Sequence, residues 1–176
     1  EKLESYSNKY HYIVTYLLAP ENKSRKLFVY GEFIGGSGLF LLEQLLQLFD
    51  IEKCVLPLRR IHDNPFKYIL YEEPKRKYAI ITSQLTDSDI SYLLDIFNDP
   101  LNDRGDYISV ILGSKTMSES HNLKCIRDII ILTPHWNYTE IEQAIGRGIR
   151  TGSHRTLPVS DHNVTVHRLV SLLPGN

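Results

Sequence analysis

Four short runs of consecutive apolar residues constrain this chain of 176 residues more than any other feature. Residues 27–30, 78–82, 107–112 and 129–132 are, Ser109 apart, β-branched, aromatic or aliphatic at neighbouring positions, not at alternate ones. A strand with one wet face alternates; a run that is apolar throughout belongs to a strand covered on both faces, the condition of a parallel sheet between helical layers. The segments between these runs repeat at helical spacing. Residues 39–49 are apolar almost all round, with Glu43, Gln44 and Gln47 as a polar strip, which predicts a well-buried helix. Residues 87–97 set Ile90, Leu93, Leu94 and Phe97 on one face behind Thr86 or Asp87 as cap. A helix is expected over 8–18 and a last strand over 164–169. Pro57, Pro65 and Pro74 punctuate 50–77, so a loop excursion with one short strand near 68–71 is expected there. Alternating strands and helices predict an α/β fold with a parallel sheet.

The length suits a single core. With 20 Lys+Arg against 21 Asp+Glu, any grip on nucleic acid must come from local patches and not from overall charge. Cys54 and Cys125 stand far apart and read as reduced core residues, and His162 and His167 lack the one-face spacing of a helical metal pair, so no metal site is expected. No apolar run is long enough to span a bilayer as a helix. Sequons at Asn22, Asn137 and Asn163 and the tripeptide Arg104-Gly-Asp106 are matches short enough to arise by chance.

Near the end of the chain, Gln143-Ala-Ile-Gly-Arg-Gly-Ile-Arg150 joins helical spacing to an unusual polar face. At about 100° per residue, Ile141, Ala144, Ile145 and Ile149 share one stripe, and Gln143, Arg147 and Arg150 fall together on the opposite side. Two guanidiniums a turn apart suit a polyphosphate, since each is a rigid fork of donors that stays charged. Aimed at a γ-phosphate, such a fork stabilises the charge that spreads over its oxygens during transfer. The same spacing also describes an ordinary amphipathic helix with a solvated face, and spacing alone does not choose between them. His154 and Arg155 extend the basic face, toward DNA or toward solvent.

The rest of a nucleotide site is missing. No Gly-x-x-x-x-Gly-Lys-Ser/Thr loop occurs, and no Asp-Glu pair follows an apolar strand. Gly35-Gly-Ser-Gly38 is the best imitation, either an anion site of backbone N–H groups at a helix start or a turn that admits the helix.

Four segments carry a family resemblance. Gln143-x-x-Gly146-Arg147-x-x-Arg150 resembles the last motif of superfamily 2 helicases and translocases, whose glutamine and arginines face a nucleotide held by the other RecA-like domain. Val110-Ile-Leu-Gly-Ser-Lys-Thr-Met-Ser-Glu-Ser-His-Asn-Leu123 looks like the preceding motif, which touches nucleic acid in its first half and the ribose near its end. Arg127-Asp-Ile-Ile-Ile-Leu-Thr-Pro-His-Trp-Asn137 resembles a strand and Trp-Asn turn shared by chromatin-remodelling ATPases and by poxvirus- and asfarvirus-type ATPases. Lys26-Leu-Phe-Val-Tyr-Gly-Glu-Phe33 is similar to the opening strand of a second RecA-like domain, and Ser153-His154 leans toward the ATPases of large cytoplasmic DNA viruses. Among these, the resemblance points to the families of nucleoside triphosphate phosphohydrolase I and the early transcription factor small subunit.

This resemblance implies a RecA-like three-layer sandwich, a mostly parallel central sheet with helices on both faces, with 1–24 as a leading helix and linker and 25–176 as the helicase C-terminal domain of a larger protein. It assigns Arg147, Arg150 and Gln143 to catalysis and Asn122, Glu119 and Gly146 to the nucleotide. Ser114, Lys115, Thr116, Ser37 and Gly38 fall to nucleic acid. ATP and Mg2+ are then held mainly by an N-terminal RecA-like domain of the same protein, so residues 1–176 alone are expected to be inactive. The implied partners are DNA and viral transcription machinery, with no membrane, in the host cytoplasm (the viral factory) and the virion. Two departures stand out. Glu119-Ser-His-Asn122 replaces the usual Glu-Gly-Ile-Asp or Glu-Gly-Ile-Ser, putting a side chain where glycine permits close approach to a ligand, and Ser83 stands where a glycine is usual after the third strand. The departure at Ser120 keeps a second reading open, a non-catalytic RecA-like scaffold for DNA or protein.

Overall fold

The computed structural model describes residues 3–54, 76–114, 122–133, 138–150 and 152–171. Among them, six strands form one sheet in the order β2-β3-β4-β1-β5-β6, with every neighbouring pair parallel. The strands are β1 (Lys26–Tyr30), β2 (Glu52–Lys53), β3 (Lys77–Ile81), β4 (Ile108–Gly113), β5 (Ile126–Ile131) and β6 (Thr165–Arg168). The expected strand near 68–71 lies outside the described residues. The start of the 50–77 stretch supplies β2, a two-residue strand too short and polar to show in the sequence.

The helices α1 (Leu3–Tyr6), α2 (Asn8–Leu18), α3 (Leu39–Leu48), α4 (Asp87–Asn98) and α5 (Tyr138–Gly148) make the outer layers. Successive residues of β1 point to opposite faces, and each face meets a different core. Leu27 and Val29 join Val110, Leu112 and Ile130 beneath Ile13 and Leu17 of α2 and Leu42 and Leu46 of α3. Phe28 and Tyr30 join Ile111, Ile129 and Ile131 beneath Ile90 and Phe97 of α4 and Ile141 and Ile145 of α5. Each fully buried aliphatic side chain contributes roughly 1.5–3 kcal/mol of transfer free energy, so a strand that is apolar throughout is stable only with both layers in place. Local chemistry sets the helix ends. Ser7 accepts from the Tyr10 N–H at the start of α2, and Thr86, one of the two expected caps, accepts from the Asp89 N–H at 3.2 Å. Pro100, two residues past the end of α4, cannot continue a helix.

The sheet also buries charge that the apolar runs did not reveal. β5 begins three residues before the expected 129, and its extra residues include Arg127 and the fully buried Asp128. Arg127 is held by Asp161 at 2.9 Å and by the Asn163 side chain at 2.7 Å. Lys26 opens β1 with no exposed surface; its Nζ donates to the Phe97 carbonyl at 2.5 Å and lies 3.9 Å above the Phe97 ring. Burial lowers its pKa to about 8, against the raising influence of Cys125 and Asp103. Charged residues read as solvated in a sequence, and only their partners show otherwise.

Candidate nucleotide-facing and nucleic-acid-facing edges

A parallel sheet gathers all strand starts at one edge and all strand ends at the other, and a crossover helix leaves from the ends and returns to the starts. α4 and α5 therefore finish at the amino edge. Asn98 closes α4, Asn122 lies in the approach to β5, and Arg150 follows α5. The Cys125 N–H donates to the Ser153 carbonyl at 3.0 Å, which draws the last two segments together. Arg150 Nη1 then donates to Asn122 Oδ1 at 2.5 Å. The Asn98 side chain donates to the Asn122 carbonyl at 3.0 Å and accepts from the Lys124 N–H at 2.8 Å, bracketing Asn122 from both sides. Arg150 and Asn122, assigned to nucleotide by separate motifs, thus meet in space. Asn98 had no signal in the sequence, where an asparagine at a helix end reads as a turn residue.

Along α5, Ile141 and Ile145 are buried while Gln143 and Gly146 are exposed, as the helical spacing predicts. The helix ends at Gly148, however, so the expected stripe and face stop one and two residues short, at Ile149 and Arg150. Ile149 is 49% exposed and Arg150 stands in the following turn, where the Ser153 N–H donates to the Arg150 carbonyl at 3.0 Å. Gly146 and Gly148 weaken the helix, and Gly152, at φ +82, turns the chain away. The side chains of Ala144 and Arg147 lie outside the described residues, as does Glu119. Arg150 lines a cleft of about 250 Å³ with Arg155, His154 and His162. His154 does not extend the exposed basic face: it is buried, with Nε2 2.5 Å from the Ile126 carbonyl and Nδ1 2.8 Å from Ser153 Oγ, and it pins the turn to β5. Cys125 is buried and Cys54 only half-buried.

The carboxyl edge holds the other group. Ser37 is exposed in the loop between β1 and α3. Gly38 is buried, and a Cβ there would meet the Phe33 carbonyl oxygen at 2.0 Å, so the position accepts glycine only. The N–H groups of Gly38, Leu39 and Phe40 already donate to the carbonyls of Gly35, Phe33 and Ile34 at 2.9–3.0 Å. Within Gly35-Gly-Ser-Gly38, the Gly38 N–H is thus spent inside the loop, as are those of Leu39 and Phe40 at the helix start, and the exposed Ser37 stands beside them. Tyr10 braces the loop by donating to the Ser37 carbonyl. Beside it opens a groove of about 630 Å³ lined by Tyr6, Lys9, Tyr10, Phe33, Ser37 and Leu132, with Tyr6 and Phe33 well exposed. Ser114, at the end of β4, is buried; Lys115 and Thr116 lie outside the described residues.

The amino-edge groups, a guanidinium and carboxamides, match the phosphate oxygens and ribose hydroxyls of a nucleotide. Among the described residues no group of three or more His, Cys, Asp or Glu side chains converges as a metal site would, and no described helix is long and apolar enough to cross a membrane.

This sheet and its two layers define a RecA-like ATPase fold. The chain superposes with a TM-score of 0.64 on the crystal structure of the C-terminal part of the Fun30 ATPase domain, covering 93% of this chain and 41% of that one at 17% identity. The family model of the helicase conserved C-terminal domain matches residues 41–152, well over half of the chain, and the chain belongs to that family. Similar proteins occur in large DNA viruses. The chain is 37% identical, over 99% of its length, to a protein of Invertebrate iridescent virus 3 named as a helicase, 087L, and 40% identical over 54% of its length to nucleoside triphosphatase I of Choristoneura fumiferana entomopoxvirus. The matched regions are 17% and 14% of those proteins.

Proposed function

We propose that this domain is the arginine-bearing half of a viral superfamily 2 DNA-dependent ATPase, a helicase or translocase acting in transcription. The observation that carries this reading is the meeting of Arg150 and Asn122 at the amino edge, with Gln143 and Gly146 exposed on the helix that leads there. In this reading an N-terminal RecA-like domain of the same protein holds ATP and Mg2+. Arg147 and Arg150 approach the γ-phosphate from the other side of the cleft and stabilise its developing charge, and Gln143 helps to position the nucleotide. Glu119 and Gly146 face the nucleoside, and Asn122 stands beside them on Arg150. Nucleic acid passes the opposite edge, past Ser37, the 114–116 segment and the exposed rings of Tyr6 and Phe33, whose faces suit stacking on bases. The site of action is the viral factory in the host cytoplasm, and the virion.

The decisive experiment measures DNA-stimulated ATP hydrolysis by the full-length protein, its Arg150→Ala variant and residues 1–176 alone. The expected pattern is turnover in the first and little or none in the other two. A full-length protein that binds DNA without hydrolysing any nucleoside triphosphate would make this domain a scaffold instead.

A further inference from the structure

We propose that Asn122 is the positioning residue of Arg150, and that Asn98 sets Asn122 in place for that task. The inference rests on the reading of Arg150 as a finger and adds what aims it. Arg150 stands beyond the last turn of α5, on an exposed stretch where a long side chain has many rotamers open to it. A finger that reaches one phosphate oxygen needs one of those rotamers, because misplacement by an ångström loses most of the benefit of orientation. Asn122 Oδ1, 2.5 Å from Arg150 Nη1, selects it. Asn122 could not do so from a loose loop. Its backbone is bracketed by the two hydrogen bonds of the Asn98 side chain, at 3.0 and 2.8 Å, so the end of α4 sets where the carboxamide points. The chain of contacts joins three segments distant in sequence.

The chemistry of the acceptor matters. A neutral carboxamide oxygen accepts from the guanidinium without cancelling its charge, so the cation stays available to a phosphate, and the remaining guanidinium donors keep the fork geometry. Orientation and electrostatic strength are thereby separated between two residues.

The test uses the full-length protein and steady-state ATP hydrolysis in saturating DNA. Asn122→Leu, close in size but without an acceptor, is expected to lower kcat about 5- to 100-fold, the range of a displaced catalytic group, with KM for ATP changed less than about twofold. Asn122→Asp keeps an acceptor at the same place but sets a negative charge against the guanidinium, and is expected to be faster than Asn122→Leu and slower than wild type, an order that a role in packing would not give. Combining Asn122→Leu with Arg150→Ala is expected to be no slower than Arg150→Ala alone. Asn98→Ala is expected to lower kcat less than Asn122→Leu and to add nothing to it; because Asn122 is exposed, the test of the Asn122/Arg150 pair does not depend on the Asn98 variant folding. Additive losses in that pair, or a raised KM at unchanged kcat in Asn122→Leu, overturn the inference. So does wild-type kcat in Asn122→Leu while Arg150→Ala is slow, an outcome that leaves the finger reading intact. Wild-type kcat in Arg150→Ala removes the finger reading itself and this inference with it.

Discussion

Arg25 meets the carboxylate of Asp128 with two hydrogen bonds, 2.6 Å from Nε and 2.7 Å from Nη2, across the start of the sheet. Asp128 has no exposed surface, and its second partner is His167 of β6, whose Nε2 is 3.4 Å away and whose Nδ1 is 2.8 Å from the Tyr12 hydroxyl. The ring of Tyr16 stands edge-on to His167 at 4.9 Å. One carboxylate thus ties the approach to β1, the middle layer, the edge strand and α2 together. Burial alone would push its pKa up, but hydrogen bonds from His167, Arg25 and Tyr16 outweigh that and hold it at about 2. With the folded value below the unfolded one, the network's stabilisation is complete above about pH 4 and fades as pH falls toward 2. Replacing Asp128 with Ala strands a half-buried guanidinium, and should cost about 3–5 kcal/mol at neutral pH. Urea unfolding followed from pH 6 to pH 2 should show the variant with a shallower acid slope than wild type; equal slopes would assign the acid sensitivity to other carboxylates.

Arg150→Ala in the full-length protein should reduce kcat for ATP hydrolysis by roughly 10³ to 10⁵ if the guanidinium meets charge that develops only in the transition state. Arg147→Ala should do the same. The ATP affinity should change little in either case, and because Arg150 is exposed beyond α5 the melting temperature of that variant should stay within a degree or two. A lost affinity at unchanged saturating rate would make the arginines ground-state binders.

DNA binding should weaken steeply with salt and ignore sequence, since a motor stepping along a strand holds phosphates and does not read bases. Ser37→Asp with Lys115→Ala in the full-length protein should weaken binding and reduce the slope of log K against log salt by roughly one per lost phosphate contact. Ser37 is the right probe because Gly38, beside it, cannot be altered without damage to the loop. Fluorescence anisotropy with labelled single- and double-stranded DNA at several salt concentrations reads the slope. Binding indifferent to both substitutions would move the track away from this edge.

Two glycines should behave oppositely. Gly38→Ala drives a Cβ to 2.0 Å from the Phe33 carbonyl oxygen, which is itself held by the Leu39 N–H at 2.9 Å and cannot retreat, so roughly 3 kcal/mol or more should be lost. Gly146→Ala meets nothing within 4 Å on a helix and should gain up to about 1 kcal/mol. Thermal melts of the two variants check both signs. If Gly146→Ala also slows hydrolysis while raising the melting temperature, the glycine is kept for the approach of a ligand and not for the helix.

The central strands were legible because burial on both faces leaves a mark at every position, from Leu27 to Tyr30 and from Val110 to Leu112. Helix α2 was legible to the residue, since its apolar positions share one face and Ser7 caps it. Charge was where sequence reasoning failed: Lys26, Arg127, Asp128 and His154 look solvated, and their burial depends on acceptors and counter-ions that lie 28 to 103 residues away. The turn after α5 failed for a related reason, because periodicity continues through Ile149 while the two glycines and the pull of Ser153 on Cys125 stop the helix.

By itself, the order of residues determined the layered α/β architecture and the family motifs. These follow from local rules: periodicity, capping, and which side chains water rejects. Tertiary structure alone decided that Arg150 and Asn122 share a hydrogen bond, that Asn98 sets its geometry, that the Gly38 N–H is spent inside its own loop, and that the two candidate surfaces occupy opposite edges. Those are relations between segments separated by tens of residues, fixed only when parallel strands bring their starts to one side and their ends to the other.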